Sequence, residues 1–289
     1  MKTLIKDIRN FAGLSQQEFA CRLGVTFATI NRWENDRAKP TRLAQEMLYE
    51  FCREMNVPVC DMLLRRIREE AERICVDSGR VLLYHGSKSG IEGRIAPVSR
   101  AQCDFGRGFY MGTDPLQPLT LISGYEKSRF YIVSLATTGL NSLEVPPDLT
   151  WAMVVAYNRG KMDGIRGSRL FDRYRTMCRG RDFIIGSIAD DRMFYVLDNF
   201  FLGNITDLAL VKSLSSLELG WQYAAVSPAG CDAVRIEKEV EISYLEKRFL
   251  QDVSENNRIK GVSTANEICR NYRREGRFFD EILSGGEEG

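Results

Sequence analysis

Apolar residues in the first 56 positions recur at helical spacing. Leu4, Ile5, Ile8 and Phe11 share one face of a helix that Gly13 ends. Ser15, with Glu18 three residues on, forms a capping box for a second helix, which turns Phe19, Ala20 and Leu23 inward and stops at Gly24. Thr26 caps a third helix through Ile30 and Trp33. Helical spacing resumes from 41 to 76, interrupted near Val57 and Pro58. There Leu63, Leu64, Ile67, Ala71 and Ile74 lie opposite a charged face, Arg65 to Arg73, and this stripe is expected to pack on the neighbouring domain.

Past residue 80 short apolar and aromatic runs replace the helical stripe. Val81 to Tyr84 reads as a buried strand broken by His85-Gly86-Ser87, and a glycine-flanked turn, Asp104 to Gly108, releases into Phe109-Tyr110-Met111. Residues 130–138 form a strand closed by Gly139, and a turn at Pro146-Pro147 leads into a helix from Asp148 to Asn158. Phe183 to Ile185 is a further strand. Asp190 and Asp191 then open a helix with Met193, Val196, Leu197 and Phe200 on one face, a second helix spans about 207 to 214, and Trp221 to Val226 is the last strand expected. From Cys231 the chain reads as helical and charged, with Ile242, Leu245, Phe249 and Val253 in a stripe, a later helix starting at Ser263 and a disordered tail from Ser284. The expected fold is α+β. An all-α domain (1–56) and a helical linker (57–79) precede a mixed-sheet domain with flanking helices (80–230) and a helical extension (231–289).

Composition narrows the function classes. The chain has 289 residues, room for about two domains, with 40 basic and 39 acidic residues, so nucleic-acid binding must come from local patches. No apolar run is long enough for a membrane helix and the start is not a signal peptide, which predicts a cytoplasmic protein. Eight scattered cysteines without a C-x-x-C pair read as free thiols, with no metal site expected. Between Arg159 and Arg181 eight basic residues face two acidic ones, with Phe171 and Tyr174 interleaved. That stretch is either a solvated helix face or a surface for a phosphate-bearing partner.

The string from Ser15 to Pro40, with Leu23-Gly24-Val25-Thr26 as its tight turn, resembles the phage-repressor-like (XRE-type) helix-turn-helix family. The resemblance implies a DNA partner, with Gln16 on the backbone and Phe27, Ala28, Thr29, Asn31 and Arg32 toward base edges in the major groove. Residues 1–56 hold nine basic against seven acidic residues, too little excess for tight binding by one module, so a homodimer on a symmetric site is expected. The alternative is a bundle that uses this fold for dimerisation alone.

His85 is the chain's one histidine, and Gly86, Gly106 and Gly108 leave space for a ligand to approach backbone. His85-Gly86-Ser87 followed by Phe105-Gly106-Arg107-Gly108-Phe109-Tyr110 resembles the core of the ADP-ribosyltransferase superfamily. Residues 82–226, with Gly186 to Arg192 and Trp221 to Val226, resemble an uncharacterised bacterial family grouped with those transferases. The resemblance implies an ADP-ribosyltransferase-like split sheet and NAD as substrate. It assigns catalytic roles to His85, Tyr110 and Gln222, and NAD contacts to His85, Gly86, Ser87, Phe105, Gly106, Gly108, Tyr110 and Arg192. His85 would bind a ribose hydroxyl, Gly86 the nicotinamide amide, and Tyr110 would stack on nicotinamide. Gln222 stands where such enzymes commonly carry glutamate; Asp190, Asp191 or Glu218 could supply the carboxylate, or the acceptor brings its own nucleophile, or the domain binds its nucleotide without turning it over. Asp190 and Asp191 read equally as helix caps.

The function expected is an NAD-dependent ADP-ribosyltransferase effector or toxin with a DNA-binding helix-turn-helix. It would modify a protein or nucleic-acid acceptor in a toxin-antitoxin or anti-phage system, with a regulatory partner or antitoxin. The alternatives are a transcriptional regulator that senses NAD without catalysis, and a scaffold.

Overall fold

The computed structural model describes residues 2–188, 191–216, 220–272 and 275–285. Five helices come first: α1 (Lys2–Phe11), α2 (Gln16–Arg22), α3 (Phe27–Glu34), α4 (Arg42–Glu54) and α5 (Val59–Glu72). Their limits follow the expected signals. Ser15 and Glu18 close a reciprocal capping box, and the Thr26 and Thr41 side chains cap α3 and α4. Ile5, Ile8, Phe19, Ile30 and Leu48 are fully enclosed, forming a core between α1 and α4.

The second domain is a seven-stranded mixed sheet. Its strands are β1 (Arg80–Ser87), β2 (Phe109–Gly112), β3 (Arg129–Ala136), β4 (Ser142–Glu144), β5 (Phe183–Ser187), β6 (Trp221–Ala225) and β7 (Val234–Val240), in spatial order β4-β5-β6-β2-β1-β3-β7. Among the described residues only β4 and β5 run parallel. Helices α6 (Leu116–Ile122), α7 (Leu149–Asn158), α8 (Arg169–Cys178), α9 (Asp191–Phe201), α10 (Asp207–Ser216), α11 (Pro228–Asp232), α12 (Tyr244–Asn271) and α13 (Phe279–Gly285) accompany the sheet among the described residues. α7 is apolar on all sides because it is enclosed: Trp151 to Ala156 are all buried.

Two features depart from the sequence expectations. The sheet continues past 230, because β7 pairs along β3 as an edge strand where helix was expected. Helix α12 runs unbroken through Ser263, and α13 extends over Ser284 and Gly285, where a disordered tail was expected. The apolar stripe of the 57–79 segment packs on the second domain as expected, since Leu63, Ile67 and Ala71 of α5 enter one core with Tyr84, Leu119, Phe130 and Ile132.

Helix α12 joins the two halves. Leu245 lies in the helix-turn-helix core, Tyr49 Oη donates to Asp252 at 2.7 Å and Arg66 pairs with the buried Glu246 at 2.7 Å. Farther along, α12 packs on α9 and α10.

Candidate functional site

The sheet opens between β1 and β2. All eight residues of β1 pair with β3, whereas β1 meets β2 at one register pair, Tyr84 with Gly112. His85 occupies this opening. Its Nδ1 lies 2.7 Å from the main-chain oxygen of Tyr110, and its ring stacks on Phe109 at 4.0 Å between centroids. A carbonyl oxygen can only accept, so Nδ1 carries the proton. Burial then depresses the imidazole pKa to about 4, against a smaller upward pull from the Tyr110 carbonyl. His85 is uncharged at neutral pH. Its Nε2 takes no hydrogen bond among the described residues, so it is left as an unpartnered acceptor.

Strand alternation decides which expected residues join it. Gly112 pairs with Gln222 and Tyr110 with Ala224, so Tyr84, Tyr110, Gly112 and Gln222 point to one face of the sheet, and His85, Phe109, Met111 and Tyr223 to the other. The imidazole of His85 and the phenol of Tyr110, both assigned to NAD by the resemblance, therefore lie on opposite faces of the sheet. Tyr110 Oη donates to the Gly106 carbonyl at 2.7 Å and accepts from Phe105 N–H at 3.0 Å, which binds the 105–106 turn to β2. Burial, reinforced by nearby Asp104, pushes the Tyr110 phenol above its usual range.

Gln222 is taken up elsewhere. It is 7% exposed, and its Nε2 donates to Asp104 Oδ2 at 3.2 Å and to the Ser187 carbonyl at 3.0 Å. Asp104 Oδ1 accepts from Arg159 Nη2 at 2.6 Å, with both side chains about nine-tenths buried. The Ser187 carbonyl also accepts from Trp151 Nε1 at 3.0 Å. Arg159, Asp104 and Gln222 thus form a satisfied buried chain that ties α7 and the 104–108 turn to β6. Asp104 is the carboxylate beside Gln222, and the sequence reading passed over it as a turn residue.

The remaining expected contacts serve packing in the structure. Phe105 is 2% exposed and fills the space beside Gly186, where a Cβ would lie 2.7 Å from its ring. A Cβ on Gly86 would meet the Pro118 carbonyl at 2.6 Å, so this glycine admits α6 against β1. Gly106 adopts φ +78° and Gly108 sits against the Ala225 carbonyl. Ser87 Oγ donates to the Gly90 carbonyl at 2.7 Å. Asp190 and Glu218 lie outside the described residues. Asp191 opens α9 with Arg192 next to it. Of the basic stretch, Arg159 is withdrawn into the Asp104 pair, while Arg166 and Arg175 pair with Asp163 and Asp172 at the surface.

In the helix-turn-helix, Phe27, Ala28 and Arg32 are exposed and Thr29 and Asn31 half-buried on one side of α3. Gln16 is anchored: its Nε2 donates to Glu34 at 2.6 Å, and Asn31 Nδ2 donates to its Oε1 at 3.4 Å. Arg9 completes the cluster at 2.6 Å from Glu34. Burial works to raise the Glu34 pKa, but hydrogen bonds from Arg9 and Gln16 outweigh it and hold the carboxyl below its usual value. No helix among the described residues is long and apolar enough to cross a membrane, and no group of side chains among them could hold a metal ion.

These features define a protein in which a helix-turn-helix DNA-binding domain is joined to a seven-stranded mixed-sheet domain. A family model described as Helix-turn-helix matches residues 5–61, and one described as Protein of unknown function (DUF3990) matches residues 81–235. The second match spans more than half of the chain, which therefore belongs to the DUF3990 family. No curated protein and no solved structure matches it.

Proposed function

We infer that the sheet domain binds NAD at the β1–β2 opening and acts as an ADP-ribosyltransferase directed by its DNA-binding domain. The observation that carries this reading is the state of His85: a neutral ring, its Nδ1 proton committed to the Tyr110 carbonyl, with Nε2 free to accept from a hydroxyl. A ribose hydroxyl is such a donor, and a histidine in His-Gly-Ser is the residue that the transferase resemblance assigns to it. In the reaction, the bond from ribose C1′ to the nicotinamide nitrogen breaks and nicotinamide leaves as a neutral molecule with the electron pair. A nucleophile of a protein or nucleic-acid acceptor bonds to C1′ and releases its proton to solvent. Positive charge develops on the ribose, so a fixed acceptor at its hydroxyl contributes to stabilising the transition state. A role in a toxin-antitoxin or defence system fits an effector tethered to DNA.

A second reading is favoured by Gln222. With both of its N–H groups given to Asp104 and Ser187, it holds the fold, and a domain that senses NAD and changes operator affinity needs no more than binding. Nicotinamide release from NAD, with and without cell lysate, separates the two, with His85→Ala alongside. Release that requires lysate and vanishes in the variant supports the transferase. Saturable NAD binding without release supports the sensor, and absence of both overturns the NAD assignment.

A further inference from the structure

Between Arg159 and Arg181 the structure separates charged from apolar side chains. Arg159 is drawn inward to Asp104, and Arg181 donates to the Asn141 side chain at 2.9 Å beside β4. Lys161, Arg166, Arg169, Arg173, Arg175 and Arg179 remain exposed. α8 turns its other side to the core, where Tyr174 is buried and Phe171 packs edge-on against Tyr157 at 5.4 Å between centroids. Arg169 and Arg173, four residues apart, share the outer face. Two aspartates answer these cations, Asp163 pairing with Arg166 and Asp172 with Arg175. Lys161, Arg173 and Arg179 have no carboxylate partner among the described residues.

Of 40 basic and 39 acidic residues in the chain, this stretch holds eight and two, which leaves 32 against 37 elsewhere. Long-range attraction of a polyanion therefore centres here. None of the large apolar side chains of the stretch is exposed. A protein partner or a bilayer would need such an anchor within its contact, whereas phosphates need only cations, and guanidinium forks match them in geometry. The inward-facing aromatics leave no ring on which bases could stack, so contact is with the backbone and independent of sequence. This surface also lies apart from the DNA-reading helix. β4 and β7 are opposite edges of the sheet, six strand spacings or about 29 Å apart. On the β7 side, Lys39 of the helix-turn-helix domain pairs with Glu241 at 2.9 Å.

We propose that the outer face of α8, with the flanking Lys161 and Arg179, is a second nucleic-acid site that binds the phosphodiester backbone. It does not depend on the NAD reading, since His85 takes no part in it. The test is fluorescence anisotropy of the full-length protein with unselected duplex DNA and with unstructured single-stranded RNA, from about 50 to 200 mM salt. In Lys161→Gln/Arg173→Gln/Arg179→Gln the slope of log affinity against log salt should fall by about 2.7 on duplex and about 2.1 on single strands, three phosphate contacts in each case. Binding at the low-salt end should weaken by about tenfold or more at an unchanged melting temperature. Asp172→Asn, which releases Arg175 from its pair, should act in the opposite direction, tightening binding and raising the slope by about one. Loss on both probes identifies the shared backbone as the ligand, and loss on one names the form that is bound. No binding by the wild type, or a slope unchanged in the triple variant, overturns the proposal. If the triple variant melts lower, Asp172→Asn decides, and absence of tightening overturns it. Displacement of duplex by polyglutamate at equal charge concentration also overturns it, making an acidic protein the ligand.

Discussion

The Nδ1 of His85 lies 2.7 Å from the main-chain oxygen of Tyr110, where the ladder between β1 and β2 has ended. The imidazole N–H thus replaces a main-chain donor for an oxygen on the strand edge. The chain's one histidine therefore serves structure through one nitrogen and is left chemically available through the other.

That geometry sets a pH dependence. Because the folded pKa of about 4 lies below the ordinary value of 6.5, the unfolded chain binds the extra proton first. Stability from this group is fully present above pH 6.5, is lost as pH falls toward 4, and changes no further below that. The loss is at most about 3 kcal/mol. Urea unfolding midpoints at pH 7 and pH 4.5 should drop more in the wild type than in His85→Gln, and parallel drops would count against the assignment.

The Arg159–Asp104–Gln222 chain predicts a large effect from a small change. Asp104→Ala removes the carboxylate that faces a buried guanidinium and one Gln222 N–H, so it should lower unfolding free energy by about 3 kcal/mol. Asp163→Ala, which breaks an exposed pair with Arg166, should cost under about 1 kcal/mol. Denaturant titration of both variants gives the comparison directly.

Much of this was legible in the residues. Ser15 and Thr26 announce their helices through their own side chains, and both cap as read. The misses have physical causes. In Val234–Val240 three of four outward-facing positions are charged, so an edge strand that needs no second face to bury reads as a polar helix. Gly261 should weaken α12, yet it is buried and the helix passes through it, held by its neighbours. The face to which Gln222 points depends on its register with Gly112 and Gly186, strands distant in sequence, and one residue either way exchanges Gln222 for Tyr223. Asp104 reads as a turn residue because Arg159, its partner, comes 55 residues later.

For the DNA-binding face, Arg32 is the informative position. It is exposed on α3, outside the Arg9–Glu34–Gln16 cluster. Arg32→Ala should weaken binding to duplexes selected on the full-length protein by about 1–3 kcal/mol and leave the melting temperature unchanged. Equal loss on unselected DNA would reassign Arg32 from base reading to phosphate contact.

Gly86→Ala tests whether this glycine serves α6 or a ligand. The two neighbouring glycines, Gly86 on β1 and Gly112 on β2, both lack a left-handed backbone, so alanine strains neither through φ. They differ in what a Cβ would touch. At Gly86 it would sit 2.6 Å from the Pro118 carbonyl and 2.7 Å from Ile122, and at Gly112 the nearest atom is 3.4 Å away. A helix backbone cannot yield as a side-chain tip does, and α6 carries the buried Leu119 and Ile122 into the core shared with α5 and β3. Gly86→Ala should therefore displace α6 and cost about 1–3 kcal/mol or more, while Gly112→Ala should cost under about 1 kcal/mol. Denaturant midpoints measure both, and hydrogen exchange at the α6 amides locates the change. Unaltered stability in Gly86→Ala would mean that the space beside β1 is open, returning this glycine to the role of a ligand contact.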